Sequence, residues 1–179
     1  MTRYGMLINT KKCVGCYACR IACQMVNGLD HEEAFIKFDE VEQGAYPNVY
    51  AEVVPVQCMH CEDAPCEAVC PTHATYTTDS GVVLVDEGKC IGCKYCMAAC
   101  PYGARVQIEE TGVIEKCRFC WYEGEPGNPP RCVNTCISGA RIFGDLDDPN
   151  SEVSKVIVER KARVLLEEQG TRPQVYYFE

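Results

Sequence analysis

Every cysteine in this chain belongs to one of four compact quartets. There are sixteen in 179 residues, and none is left over. The first quartet is Cys13, Cys16, Cys19 and Cys23, and the third is Cys90, Cys93, Cys96 and Cys100. Both are spaced C-x2-C-x2-C-x3-C. The second, Cys58, Cys61, Cys66 and Cys70, is spaced C-x2-C-x4-C-x3-C, and the fourth, Cys117, Cys120, Cys132 and Cys136, C-x2-C-x11-C-x3-C. All four open with two intervening residues and close with three. This is an internal repeat, and it governs the reading of everything between.

Thiols at this density fit three chemistries: a disulfide scaffold, zinc sites, or iron–sulfur clusters. Stable disulfides need an oxidising compartment. The N-terminus, MTRYGMLINTKKC, shows no apolar signal core, small-residue cleavage site or twin arginine, which argues against that reading. Structural zinc prefers C-x2-C pairs separated by a dozen or more residues, a pattern that only the fourth quartet approaches. A four-iron cube instead wants one thiolate per iron. Three cysteines two residues apart can curl round one side of it, and a fourth, about a helical turn on, points away. In two-cluster ferredoxins that last cysteine serves the neighbouring cluster and is followed by proline. Pro71 and Pro101 stand there in the second and third quartets, while Gln24 and Ile137 replace it in the first and fourth. A three-iron cluster usually follows loss of a ligand, and no quartet is short of one. Four cubane clusters are the expected cofactors.

The remaining sequence points to short elements. Tight turns follow three quartets, at Pro71-Thr72-His73-Ala74, Pro101-Tyr102-Gly103-Ala104-Arg105 and Ile137-Ser138-Gly139-Ala140-Arg141. THATYTTDSGVVLVD and ARVQIEETGVIEKC read as hairpins, and FIKFDEVEQGAYPNVYAEVVPVQC as two β-runs about a turn at Gly44–Asn48. Asp148-Pro149 is a helix-start signal, and QVYYF a final β-run. The expected fold is α+β: two ferredoxin-like two-cluster modules with short β-hairpins and short helices. Residues 1–26 with 110–143 form the first module and 58–109 the second, with a β insertion at 27–57 and a docking and wrapping tail at 144–179.

His60, inside the second quartet, is not needed as a ligand, and His31 and His73 read as surface or turn residues. Formal charge is −9 with no basic block, which speaks against nucleic acid, and no apolar run is long enough to span a bilayer. No hydrolytic triad, phosphate-binding loop or dinucleotide fingerprint is present, so no catalysis is expected of this chain alone. Lysine precedes the first cysteine at Lys12, Lys89 and Lys116, but Gln57 holds that place in the second quartet, which also carries Glu62, Asp63 and Glu67. Positive charge favours the reduced cluster. These four positions are therefore candidates for tuning potential, with the lowest potential expected at Cys58, Cys61 and Cys66.

The stretches YGMLINTKKCVGCYACRIAC, QCMHCEDAPCEAVCPTHATY, CIGCKYCMAACPYGAR, KCRFC…RCVNTC and FGDLDDPNSEVSK are spread along almost the whole length of the chain. Together they resemble the four-cluster electron-transfer subunit of molybdopterin oxidoreductases of the dimethyl-sulfoxide-reductase superfamily. The resemblance is nearest to the polysulfide, thiosulfate and dimethyl sulfoxide reductase subunits. It implies that quartets pair, first with fourth and second with third. Cluster 1 would then take Cys13, Cys16, Cys19 and Cys136, and cluster 2 Cys117, Cys120, Cys132 and Cys23. Cluster 3 would take Cys90, Cys93, Cys96 and Cys70, and cluster 4 Cys58, Cys61, Cys66 and Cys100. It further implies that this numbering is the order along an electron wire whose first cluster faces a molybdopterin (or tungstopterin) catalytic subunit. The other end would face a membrane anchor subunit handling quinone, or another redox partner. With no signal of its own, the chain is expected in the cytoplasm, or exported folded with a signal-bearing catalytic partner and peripheral to the membrane. A wire for a hydrogenase or tungsten aldehyde oxidoreductase, and a free polyferredoxin, are the alternatives.

Overall fold

The computed structural model describes residues 2–122 and 127–179. Its centre is a three-stranded sheet, with elements numbered along the chain. Strand β1 (Tyr4–Asn9) lies between β8 (Arg141–Asp145), antiparallel to it, and β9 (Val175–Phe178), parallel to it. The unbroken apolar run Met6-Leu7-Ile8 is wholly buried, as a strand covered on both faces requires. The sheet therefore joins the two ends of the chain.

Three hairpins make up the rest of the β structure. The longest, β2 (Lys37–Ala45) with β3 (Asn48–Val56), pairs from Lys37↔Val56 to Ala45↔Asn48, and only its base is buried. The pair β4 (Thr75–Thr77) and β5 (Val83–Val85), and the pair β6 (Val106–Gln107) and β7 (Ile114–Glu115), are where the sequence places hairpins. The module boundary expected at 109/110 runs through the turn of the second of these.

Four helices carry cysteines: α1 (Ala18–Asn27), α2 (Pro65–Ala68), α3 (Tyr95–Ala99) and α4 (Arg131–Asn134). Each holds the third cysteine of its quartet, so that the fourth follows about one turn later. Helix α1 packs on α4 and α2 on α3, bringing the first quartet to the fourth and the second to the third. The molecule is thus a small mixed α/β structure with cysteines in its core. One apolar cluster includes Cys19, Cys23, Cys58, Cys61, Cys117 and Cys132, and a second includes Cys66 and Cys96.

The C-terminal segment departs from expectation at its helix. Asp148-Pro149 forms a turn, not the helix start. Helix α5 (Glu152–Arg160) begins after Ser151, whose hydroxyl accepts the Ser154 N–H at 3.2 Å. The final β-run expected at QVYYF is present. Strand β9 completes the central sheet, with Gln174, Val175 and Tyr177 buried. Tyr177 Oη donates to the Pro55 carbonyl at 2.9 Å.

Candidate metal centres

The cysteine repeat is also a backbone repeat. The residue before each second cysteine has positive φ: Gly15 at 61°, His60 at 44°, Gly92 at 66° and Phe119 at 50°. This left-handed step folds the loop back on itself. Glycine adopts it freely, and histidine and phenylalanine do so only when held by packing. Here they hold each other, since the His60 and Phe119 rings stack with centroids 3.7 Å apart. His60 is fully buried, and its Nδ1 accepts the Val83 N–H at 3.1 Å. Burial, with the charges of Lys116 and Arg105, pushes it well below the usual histidine range, so it stays neutral. A second left-handed step follows three of the quartets, at His73, Gly103 and Gly139. These turns aim amides at sulfur: the Ala140 N–H donates to Cys136 Sγ at 3.2 Å, and the His60 N–H to Cys58 Sγ at 3.5 Å.

Three cavities are each lined by four cysteines, the last of them borrowed from another quartet. Cys58, Cys61, Cys66 and Cys100 line one. Cys70, Cys90, Cys93 and Cys96 line another. Cys13, Cys16, Cys19 and Cys136 line the third. The remaining four also neighbour one another. Burial raises the Cys23 thiol to about 12, with Cys132 and Cys120 adding to it. Cys117 is raised by burial and then by Cys23 and Cys132. Among the described residues no disulfide joins any cysteine, and no three metal-ligating side chains converge tightly enough for a single ion. Four soft ligands gathered around one space, one for each iron, fit a four-iron cube.

The second and fourth quartets meet: Cys117 has Cys58 among its electrostatic neighbours, and the His60–Phe119 stack joins their loops. The Cys58 cavity therefore adjoins the Cys117 set. The Cys90 cavity adjoins the Cys58 cavity in turn, Arg105 lining both. Cys16 and Cys93 are the two exposed cysteines, one in the Cys13 cavity and one in the Cys90 cavity.

Comparison with known proteins decides the family. One 4Fe–4S dicluster domain profile matches residues 49–146 and a second matches residues 12–74. The chain belongs to the 4Fe–4S dicluster family. It is 42% identical to a putative dimethyl sulfoxide reductase iron–sulfur subunit of Halobacterium salinarum, across 99% of this chain and 79% of that protein. It is 39% identical to a tetrathionate reductase subunit of Salmonella typhimurium (98% and 72%). It is 40% identical to the thiosulfate reductase electron transfer subunit of Salmonella typhi (89% and 83%). Two dicluster domains and sixteen cysteines correspond to four 4Fe–4S clusters. The chain is an electron-transfer subunit of an oxidoreductase complex and not the catalytic one.

Within this dicluster subunit the tuning candidates differ sharply. Lys12 and Lys89 are exposed, and Lys89 pairs with Asp86 at 3.0 Å. Lys116 is wholly buried, its Nζ donating to the Val83 carbonyl and, at 2.8 Å, to the Cys117 carbonyl. Gln57 is also buried, its Oε1 accepting from Arg141 Nη1 at 2.6 Å. Glu62 and Asp63 lie at the surface, where Arg172 meets Asp63 at 2.5 and 2.6 Å and Glu62 at 3.5 Å. Glu67 accepts the Thr77 hydroxyl at 2.5 Å. Arg105 meanwhile lines the Cys58 cavity itself. It also lines the Cys90 cavity. Arg105 and Arg141 are the residues that sequence reasoning passed over. Their signal was the repeated Gly-Ala-Arg after the third and fourth quartets, read only as a turn.

Proposed function

We propose that the sixteen cysteines hold four clusters as crossed quartets. The sets are Cys13, Cys16, Cys19 and Cys136; Cys117, Cys120, Cys132 and Cys23; Cys58, Cys61, Cys66 and Cys100; and Cys90, Cys93, Cys96 and Cys70, in that order along the wire. The observation that carries this reading is the set of three cavities, each lined by three cysteines of one quartet and the last of another. The two modules correspond to the helix pairs α1–α4 and α2–α3. The clusters supply one-electron chemistry, and the polypeptide sets their spacing, burial and potential.

The terminal cavities are the natural points of electron entry and exit. The β2–β3 hairpin stands beside the first: Pro55 lines that cavity, and the Tyr17 and Phe38 rings lie 4.3 Å apart. At its far end Tyr46, Val49 and Tyr50 are exposed. This flank suits a pterin-containing catalytic subunit. The Cys93 end, with Ile91 and Tyr95 exposed, suits a membrane-anchored or other redox partner. Among the described residues no helix is long and apolar enough to cross a membrane.

The anaerobically purified chain is expected to bind about sixteen irons, as four cubes require. Substituting Cys100→Ser should perturb the same EPR signal as Cys61→Ser and leave the Cys93→Ser signal alone. If Cys100→Ser alters the Cys93 signal, the crossing is wrong. A colourless zinc-loaded preparation would remove the clusters from the account altogether.

A further inference from the structure

Arg105 and Arg141 occupy the same place in the repeat, immediately after Gly103-Ala104 and Gly139-Ala140. Both are almost wholly buried, at 4% and 5% exposure. Neither is ion-paired with a carboxylate among the described residues. Arg105 Nε, Nη1 and Nη2 find no oxygen or nitrogen partner, and the Cys66 thiol is its hydrogen-bonding neighbour. Arg141 Nη1 donates to Gln57 Oε1 at 2.6 Å and Met6 Sδ at 3.2 Å, while its Nη2 has none. A guanidinium does not shed its proton, and burying one without an anion is strongly unfavourable. What each faces instead is sulfur from two cysteine sets. Arg105 lines both the Cys58 cavity and the Cys70–Cys90 cavity. Arg141 lines the Cys13 cavity, and its charge also acts on Cys23 and Cys132 of the neighbouring set.

We infer that Arg105 and Arg141 are shared counter-ions, each set between the two clusters of one module and raising the potential of both together. The inference rests on the crossed ligand sets proposed above. A cube with four thiolates is anionic, and each electron it takes up adds one negative charge. A fixed cation beside it favours that reduced form. One guanidinium between two cubes favours reduction of either. Lys12 and Lys89, being exposed, are screened by solvent and cannot do the same. The two arginines are placed alike: Arg105 acts on Cys66 and Cys96, one from each set of its module, and Arg141 on Cys19 and Cys132.

The test is EPR-monitored redox titration of the iron-loaded full-length chain carrying Arg105→Met, Arg105→Lys or Arg141→Met, with signals assigned by Cys61→Ser, Cys93→Ser and Cys16→Ser. Arg105→Met should make reduction at least tenfold less favourable, about 59 mV for one electron, at both the Cys58 and Cys90 sets. The other two signals should move far less. Arg141→Met should give the mirror result, and Arg105→Lys should stay near the parent. Unmoved midpoints with about sixteen irons retained would overturn the counter-ion role while leaving the crossed ligands standing, as would an equal shift of all four signals. A shift split between one signal of each module would overturn the ligand sets. If Arg105→Met fails to hold iron, the parent protein labelled with 15N in its arginine guanidinium groups still decides. Pulsed EPR of the reduced clusters should show a weak 15N coupling, and its absence overturns the proposal.

Discussion

Gln174 ties the C-terminal strand to the loop of the second quartet, and replacing it with methionine isolates that tie. The side chain is 1% exposed. Its Nε2 donates to the His60 carbonyl at 2.7 Å and the Gly81 carbonyl at 2.8 Å, while its own N–H donates to the Met59 carbonyl at 2.8 Å. Gln174→Met keeps the length and approximate volume, so little cavity cost is added. It removes both side-chain donors and leaves the backbone bond. The Gly81 carbonyl is half-buried and can turn to water, so losing that bond costs about 1 kcal/mol. The His60 carbonyl lies in the interior, and leaving it unpaired costs about 2 kcal/mol. The total is about 3 kcal/mol, or roughly a hundredfold in the local opening equilibrium. The assay is amide hydrogen exchange across residues 58–61 in the iron-loaded chain, with release of iron to a chelator under argon as a second readout. Exchange there should quicken by roughly a hundredfold while the amides of the β2–β3 hairpin are unchanged. If residues 58–61 exchange within threefold of the parent, β9 does not hold the loop and the reasoning is refuted.

Other expectations follow from the same geometry. Gly92→Ala would place a Cβ 2.8 Å from the Gly112 carbonyl oxygen at a φ of +66°, so it should cost the third-quartet loop about 2 kcal/mol or more and lower iron content. Gly103→Ala meets nothing within 4 Å and should cost only the left-handed strain, about 1 kcal/mol, with iron content held. Ser151→Ala removes the cap of α5 and should cost about 1 kcal/mol, seen as faster exchange in that helix with no change in the cluster EPR. Deleting residues 171–179 strips the parallel partner from β1, and the chain should then fail to accumulate clusters, as judged by iron assay and visible absorbance.

Much of the site was legible because cysteine spacing is local. The x2 and x3 intervals dictate loop, helix and reversal within a dozen residues, and the hairpins carry their own turn chemistry. What the sequence concealed is long-range. QVYYF reads as a strand, but nothing in it says that its partner is β1, at the other end of the chain. The adjacency of the second and fourth quartets rests on the His60–Phe119 stack, two side chains that look ordinary in isolation. Lysine before a cysteine looks the same in three quartets, yet burial separates Lys116 from Lys12 and Lys89. The helix start was misplaced because Asp148-Pro149 and Ser151 are both good signals, and the turn took the first.

The crossed ligand sets proposed above would also explain how so thin a core is held together. The apolar interior is divided among small clusters, and several buried positions are thiols that gain little by packing alone. In a chain of this kind the binding of metal contributes to folding directly, because thiolates brought together by the fold are bound only when the fold exists. Borrowing the last ligand of each set from another quartet makes that contribution long-range. The Cys13 cavity cannot close until Cys136 arrives from just beyond α4, nor the Cys58 cavity until Cys100 arrives from the end of α3. Each inserted cube would therefore cross-link segments distant in sequence, as a disulfide does, but at four points. The buried arginines belong to the same logic. Without the anionic cubes they would be unpaired charges in the interior, and with them they become part of what holds each module shut.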